Sequence, residues 1–404
     1  MFPIPPTLAA MSDAPRPTLL FVVTEDWYFR SHRLPTARAA RDAGFDVGVA
    51  CRVGKDAAAI AAEGFRVIPL PWRRGSFNPL RALGDVRRLA RLYRRERPTI
   101  IHHIAVKPTV LGGFALFLAG FPNDLRDTRV VATLAGLGLG LSGAGTKAAL
   151  GRGLLRLALK AAGWRRRHAL VVQNGDDAAL LAAGWPRPPS SRLIRGSGVD
   201  LTHYEELAEP MGPVTCAQVS RMLTLKGVED LVAAVRQVRA QGVDLRLLLA
   251  GAPDADSPAA IPEATLRAWG TEPGIEWLGA VSDVRTVWAR AHIAVLASRG
   301  GEGVPKSLLE AAACGRAIVA TDVPGSREVA VEGRNALLAP PRDPAALAAA
   351  LSRLAQNAAL RRRLSLGSRA VVDPEFGEAE VGRRMRDLYL GLVAPFPASA
   401  PGGA

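Results

Sequence analysis

Cysteine is scarce in this sequence. The three present, Cys51, Cys216 and Cys314, are scattered without metal-ligand spacing, which argues against a disulfide framework or a zinc site and fits a reducing cytoplasm. Aromatic residues make up 5% of the chain, and none form a platform interleaved with basic residues, so nucleic acid is not an expected partner. Apolar runs are short. None reaches the roughly 18 residues of a spanning helix. The nearest, 110–121 and 130–141, fall short, and the second is broken by Gly136, Gly138 and Gly140. A secretory signal is also missing: MFPIPPTLAAMSDAPRP has neither a charged start nor a long apolar core. Residues 1–16 read as an unstructured leader, with Met11 as an alternative start.

Acids are the other deficit, and only in the first half. Residues 1–200 hold 30 lysines and arginines against 14 acids; residues 201–404 hold 22 against 23. A GC-rich genome would enrich arginine in both halves alike. The asymmetry points instead to a polyanionic partner, of which an acidic membrane surface or a phosphorylated lipid fits better than nucleic acid, given the missing aromatic platform. The cations concentrate in 81–97, in 151–167 and at Arg73–Arg74. In the second run Leu154, Leu155, Leu157, Leu159 and Trp164 stand beside them, as in a helix lying in a membrane interface.

What is present is a strand–helix rhythm. TLLFVVT (18–24), DVGVAC (46–51), RVIPL (66–70), TIIHHI (99–104), RVVATLA (129–135) and ALVVQN (169–174) read as buried parallel strands, continuous rather than alternating. Helices are expected over 32–43, 79–96, 109–119 and 150–162. A Pro-rich break at 185–200 follows, and the rhythm restarts. Strands are expected at 215–220, 245–251, 275–280, 291–298 and 316–321, with helices at 227–240, 306–313, 344–354 and 378–392. The fold class is α/β: two doubly wound Rossmann-like domains facing each other, with a ligand at the carboxyl ends of the strands.

The chemistry concentrates in SRGGEGVPKSLLEAAACGRAIVATDVPGSREVA (298–330). A Gly-rich turn leaves an apolar strand and feeds a helix, with Pro305 at a natural first position. Free backbone N–H groups at a helix start bind anions such as a diphosphate. Carboxylates repel phosphate, so Glu302 and Glu310 are assigned to sugar hydroxyls. A second run, SRMLTLKG (220–227), offers Arg221 as a bidentate phosphate grip and Lys226 as a mobile charge.

These residues resemble family 4 of the glycosyltransferases, of the two-Rossmann architecture called GT-B. Glu302, Glu310, Gly315, Gly325 and Glu328 stand at the places of its signature, and the resemblance runs over 18–394. It implies an acceptor-binding domain over 17–194, a nucleotide-sugar-binding domain over 195–375, a helix over 376–394 packing back on the first domain, and an unstructured tail over 395–404. Hinges are expected at 190–200 and 373–377. It implies a retaining, metal-independent hexosyl- or N-acetylhexosaminyl-transferase using a nucleotide diphosphate sugar, UDP-linked on family grounds. The acceptor is expected to be a polyprenyl-diphosphate-linked saccharide of surface polysaccharide, capsule or lipopolysaccharide synthesis. The protein would sit peripherally on the inner face of the cytoplasmic membrane. No cofactor and no metal are expected. Catalytic roles fall to Glu302, Arg221, Lys226 and His103. Donor binding falls to Glu310, Gly303, Val304, Pro305, Gly251 and Leu278. The acceptor side takes Asp26, Trp27, His32, Lys107, Gly136 and Gly138. Many relatives carry a further active-site histidine where this chain has Ala135, so no side-chain base is assigned. The alternatives are a nucleotide-sugar 2-epimerase of the same architecture and a non-catalytic anionic-lipid-binding protein.

Overall fold

A computed structural model describes residues 16–72, 79–120, 125, 127–138, 141, 143, 145–163, 168–183 and 191–394. Residues 1–15 of the expected leader and the expected tail lie outside these residues, as do Arg73–Arg74, Gly140, Trp164 and residues 185–190 of the Pro-rich break.

The first sheet contains β1 (Thr18–Glu25), β2 (Asp46–Arg52), β3 (Arg66–Pro69), β4 (Ile100–Ile104), β5 (Arg129–Leu134), β6 (His168–Val172) and β7 (Ser191–Leu193). Its order is β3-β2-β1-β4-β5-β6-β7. The second contains β8 (Val214–Val219), β9 (Leu245–Ala250), β10 (Ile275–Gly279), β11 (Ile293–Leu296), β12 (Ala317–Thr321) and β13 (Ala336–Ala339), in the order β10-β9-β8-β11-β12-β13. All named strands pair in parallel. In each sheet the order reverses once, between β1 and β4 and between β8 and β11. Those switch points open the crevices where ligands bind.

Continuous apolar strands follow from burial on both faces. Leu19, Phe21 and Val23 pack on one side of the first sheet, Leu20 and Val22 on the other. The helix Pro79–Glu96 buries Val86, Leu89, Ala90 and Tyr93 at spacings of three and four and turns its arginines outward. Asp343 and Asn357 cap Pro344–Gln356 and Ala358–Val372, accepting from Ala346 N–H and Leu360 N–H at 2.9 Å each.

The chain crosses between the domains twice, side by side. Val199 N–H donates to Phe376 O at 2.9 Å, and Glu378 N–H donates to Val199 O at 3.0 Å. Arg195 joins the crossings, donating to Glu328 at 2.5 Å and to Glu375. The last helix, Glu378–Val393, lies on the first domain. Val381, Met385 and Tyr389 enter its core, and the Tyr389 hydroxyl meets His102 Nδ1 at 2.7 Å.

Two expectations need correction. Instead of a loop and one helix over 32–43, there are two helices, Asp26–His32 and Leu34–Asp42. They break at Arg33, whose φ of −126° and ψ of −10° turn the chain before Pro35 opens the second helix. And Ser191–Leu193, within the stretch read as linker, is the seventh strand of the first sheet. All three of its residues are exposed, so it carries no burial signal.

Candidate functional site

The loop after β11 stands at the switch point of the second sheet and runs from Ser298 to Pro305, where the helix Lys306–Ala313 starts. Glu302 is its acid. Its carboxylate accepts from Lys226 Nζ at 2.6 and 2.9 Å and from Ser298 Oγ at 2.7 Å. Burial works to raise this carboxyl, but Lys226, Ser298 and Arg221 together hold it below the usual carboxylate range. Lys226 comes from a short 3-10 turn, Thr224–Lys226, following β8. Arg221 bonds Asp254 at 2.5 Å. Gly251 and Leu278 lie at the carboxyl ends of β9 and β10, and Gly251 N–H donates to Gly279 O at 2.7 Å. The structure thus gathers two cations and an acid beside a glycine-rich loop that leads into a helix N-terminus, which can hold an anion and polar hydroxyls together.

Glu310 is buried in the helix Lys306–Ala313 and accepts from the Tyr204 hydroxyl at 3.1 Å. Burial pushes its carboxyl up to about 7; Lys306 and the Tyr204 bond resist the rise. Between the ordinary 4.5 and about 7 the folded protein keeps a proton that the unfolded chain has lost. Stability of the empty protein therefore falls as pH rises through that window, by about 3 kcal/mol in all. The Glu310→Gln variant lacks this fall. Melting temperatures from pH 5 to 8 should show wild type losing stability relative to the variant; parallel curves would remove the argument.

The first domain reaches into the same loop. Gln173, at the end of β6, accepts from Val304 N–H at 3.2 Å. Gly136 has φ of +87°, and a Cβ there would lie 2.5 Å from Gly303 N and 2.7 Å from Gly301 O. Only glycine lets the two backbones approach so closely. Lys306 Nζ donates to Ser31 O at 2.6 Å. Next to it, His32 stacks on Tyr28 with centroids 4.4 Å apart and meets Ser31 Oγ at 2.6 Å through Nδ1. Burial and the cations Lys306, Arg33, Lys226 and Arg221 hold its imidazole well below the ordinary value, so it is neutral at pH 7. His32, Gly136, Gly303, Val304, Lys226 and Glu302 thus meet across the cleft.

Two assigned residues, His103 and Asp26, do not join them. His103 is fully buried, its Nε2 bonded to Tyr93 at 2.9 Å. A Cβ at Gly112 would come within 2.1 Å of the ring. On β4 His103 shares a face with Ile101, and the helices Pro79–Glu96 and Val106–Ala119 cover that face. The catalytic assignment of His103 is withdrawn. The Asp26 carboxylate accepts from the N–H groups of Trp27, Gly54 and Asp56 at 2.7, 2.6 and 3.1 Å, pinning the loop after β2 instead of facing a ligand. Asp26→Ala should destabilise the fold by about 3 kcal/mol, since three charge-assisted bonds vanish and buried donors are stranded. Urea unfolding measures this, and a change below about 1 kcal/mol would contradict it. Trp27 sits edge-on to Tyr28, centroids 5.8 Å apart. Lys107 lies over the Trp72 ring at 5.3 Å. Gly138, with φ of +67°, turns the chain toward Leu141.

Sequence reasoning missed Ser298, Tyr204, Gln173 and Lys306. Gln173 left a signal, as a polar residue closing an apolar strand; Lys306 stands inside the motif itself. It also passed over Asp254-Ala255-Asp256, an Asp-x-Asp run. Asp254 is taken by Arg221, and Asp256 pairs across the cleft with Arg52 at 3.2 Å. Among the described residues no group of three or more His, Cys, Asp or Glu side chains is placed to hold a metal ion.

Two facing doubly wound domains, with this cluster at the second domain's switch point, define a glycosyltransferase of GT-B architecture. A family model described as "Glycosyl transferases group 1" matches residues 213–357, and one described as "Glycosyl transferase 4-like" matches residues 18–164. The chain belongs to family 4 of the glycosyltransferases. It is 24% identical over 372 residues, 88% of this chain and 94% of the relative, to the N,N'-diacetylbacillosaminyl-diphospho-undecaprenol alpha-1,3-N-acetylgalactosaminyltransferase of Campylobacter jejuni. It is 25% identical to the putative glycosyltransferase EpsD of Bacillus subtilis, covering 92% and 96% of the two chains. A shorter stretch, 127 residues or 31% of this chain, is 41% identical to 13% of an exopolysaccharide phosphotransferase of Streptomyces coelicolor, so the match spans only a small part of that protein. Among solved structures, sucrose-phosphate synthase from Thermosynechococcus elongatus matches with a TM-score of 0.75 at 19% identity, over 93% of this chain and 99% of that one. Anabaena HepE in complex with UDP and glucose matches with a TM-score of 0.73 at 18% identity, over 92% and 98%.

Proposed function

We propose that this chain is a retaining transferase that moves a sugar from a UDP-linked donor to a lipid-diphosphate-linked saccharide of surface polysaccharide synthesis. The observation that carries the reading is the Lys226–Glu302–Ser298 cluster beside the glycine-rich loop that opens the helix Lys306–Ala313. Lys226 and Arg221 bind the donor diphosphate and stabilise its departure, the main electrostatic task of the reaction. Glu302 accepts from the transferred sugar, and ionised Glu310 accepts from the ribose. Gly303, Val304 and Pro305 start the helix at the phosphate, while Gly251 and Leu278 flank the base. Neutral His32 borders the acceptor side. The leaving phosphate takes the acceptor's proton on the face where the new bond forms, so no separate base is required. The two side-by-side crossings let the domains close on the donor.

The Campylobacter relative, whose name specifies a diphospho-undecaprenol-linked acceptor, and the UDP complexes of HepE support these choices. Among the described residues no helix is long and apolar enough to cross a membrane. We place the basic first domain on an anionic inner leaflet, where each cation contributes on the order of 1 kcal/mol. The test incubates the full chain with nucleotide sugars and lipid-diphosphate-linked saccharides, with and without EDTA, and reads product mass and anomeric configuration. Transfer with retention in EDTA is expected. An inverted product, or a strict need for magnesium or manganese, overturns the mechanism; no transfer to any such acceptor overturns the acceptor class.

A further inference from the structure

The first domain carries a groove of about 1120 Å³ that no role above uses. It lies between the helices Pro79–Glu96, Val106–Ala119 and Thr146–Gly163 and the loop after β5. Its walls are mainly leucine and valine: Leu80, Val110, Leu111, Leu137, Leu141 and Leu154. A saccharide is a poor occupant, because its hydroxyls would find few partners on such walls. The charge is one-sided. Among the described residues, Arg81, Arg88, Lys107 and Lys147 face the groove with a single acid, Asp85, which pairs with Arg88 at 3.1 Å. An apolar trench edged by cations fits an amphiphile with an anionic head.

Two further observations orient the occupant. At one end, Leu137 follows Gly136, whose backbone abuts Gly303 and Glu302 of the donor loop. Lys107 lines the groove from the first turn of Val106–Ala119, where the helix N-terminus favours an anion. At the rim, Leu80 and Leu154 both line the groove and face solvent. Leu154 belongs to an exposed stripe with Leu150 and Leu157, at helical spacing. The groove thus leads from an exposed leucine surface to the donor loop.

We infer that this groove holds the first isoprenoid units of the acceptor, its diphosphate at Lys107 and the start of Val106–Ala119, its chain leaving over Leu80 and Leu154. The inference rests on the lipid-linked acceptor proposed above and adds where that acceptor's chain lies. It also gives part of the first domain's positive charge a local use: four of its cations line one trench.

The test uses the full chain and farnesyl diphosphate below its micelle concentration, with inorganic diphosphate for comparison. Farnesyl diphosphate should bind at least about tenfold more tightly, because burying even two methylenes is worth that factor. Gly84 lines the groove, and a Cβ there meets open space, so Gly84→Trp fills the trench without a clash at its base. Gly84→Trp and Leu154→Asp should each lose about tenfold or more of the farnesyl diphosphate affinity and keep that for inorganic diphosphate. Leu157→Asp, outside the groove, should lower attachment to anionic vesicles and leave farnesyl diphosphate binding unchanged. Melting curves of each variant report whether it is folded. Equal affinity for the two diphosphates overturns the inference, as does a folded Gly84→Trp with wild-type affinity. Transfer to lipid-linked acceptors that is insensitive to Gly84→Trp overturns the groove alone. Groove binding without any transfer to lipid-diphosphate acceptors overturns the proposed acceptor and leaves the groove standing.

Discussion

Replacing Lys226 with methionine is expected to lower kcat/KM by about 10²–10³-fold, the range for removing a preorganised charge from a transition state. Two effects combine. The departing diphosphate loses the nearest cation, and Glu302 loses the partner at 2.6 and 2.9 Å that keeps a buried carboxylate ionised. Without Lys226, burial acts on Glu302 against Ser298 and Arg221 alone, and its carboxyl rises. The acidic limb of the pH–rate profile should therefore move to higher pH in Lys226→Met. Glu302→Gln should also lose most turnover while melting within a few degrees of wild type. The double variant should be less than additive, since each single change strands the other group. A Lys226→Met enzyme with near-wild-type kcat/KM would overturn the donor-site assignment.

Gly136→Val is the second large effect, and it acts through the contact between domains. A Cβ at Gly136 would meet Gly303 N, Glu302 C and Gly301 O at 2.5–2.7 Å, and the φ of +87° is hostile to a β-branched residue. The donor loop must retract or the domains must separate. Turnover should fall by about 10²-fold, the cost of misplacing reacting groups by roughly 1 Å. Nucleoside diphosphate binding, made by the second domain, should change only a few-fold. Calorimetric titration with UDP beside turnover reads the split. Unchanged turnover, or loss of both in parallel, would show that the glycine serves something else.

Much of the fold was legible because parallel strands buried on both faces are continuous apolar words, as in TLLFVVT and RAIVAT. What escaped was short or exposed. Ser191–Leu193 has no buried residue, and the helix Ala358–Val372 carries arginines at 361, 362 and 363, with Arg361 buried against Glu209 and the Leu354 carbonyl. The Lys226–Glu302 cluster was legible because its residues lie in two contiguous runs. The first domain's side of the cleft was less so, because it is assembled from distant strand ends. Asp26 and His103 sit where strand ends often carry function, yet one pins a loop and the other fills a core. Nothing in a linear string marks a histidine as buried rather than lining the cleft: His102 and His103 alternate across the sheet, and both are fully buried. Gln173 and Ser31 act through contacts 131 and 275 residues away along the chain, to Val304 and Lys306.

The return of Glu378–Val393 to the first domain fixes an order of assembly. His102 and Phe21 are made early, but the aromatic ring packed against both belongs to Tyr389, 287 residues beyond His102. At about 5–20 residues per second, ribosomal synthesis leaves that side of β1 and β4 without its cover for roughly 15–60 s. The second domain, whose strands and core helices lie between Val214 and Val372, is complete in the chain before then. The domain begun first is therefore the one finished last. A nascent chain stalled after residue 375 would hold a mature donor half beside an acceptor half with an open apolar flank, a ready target for chaperones and proteases.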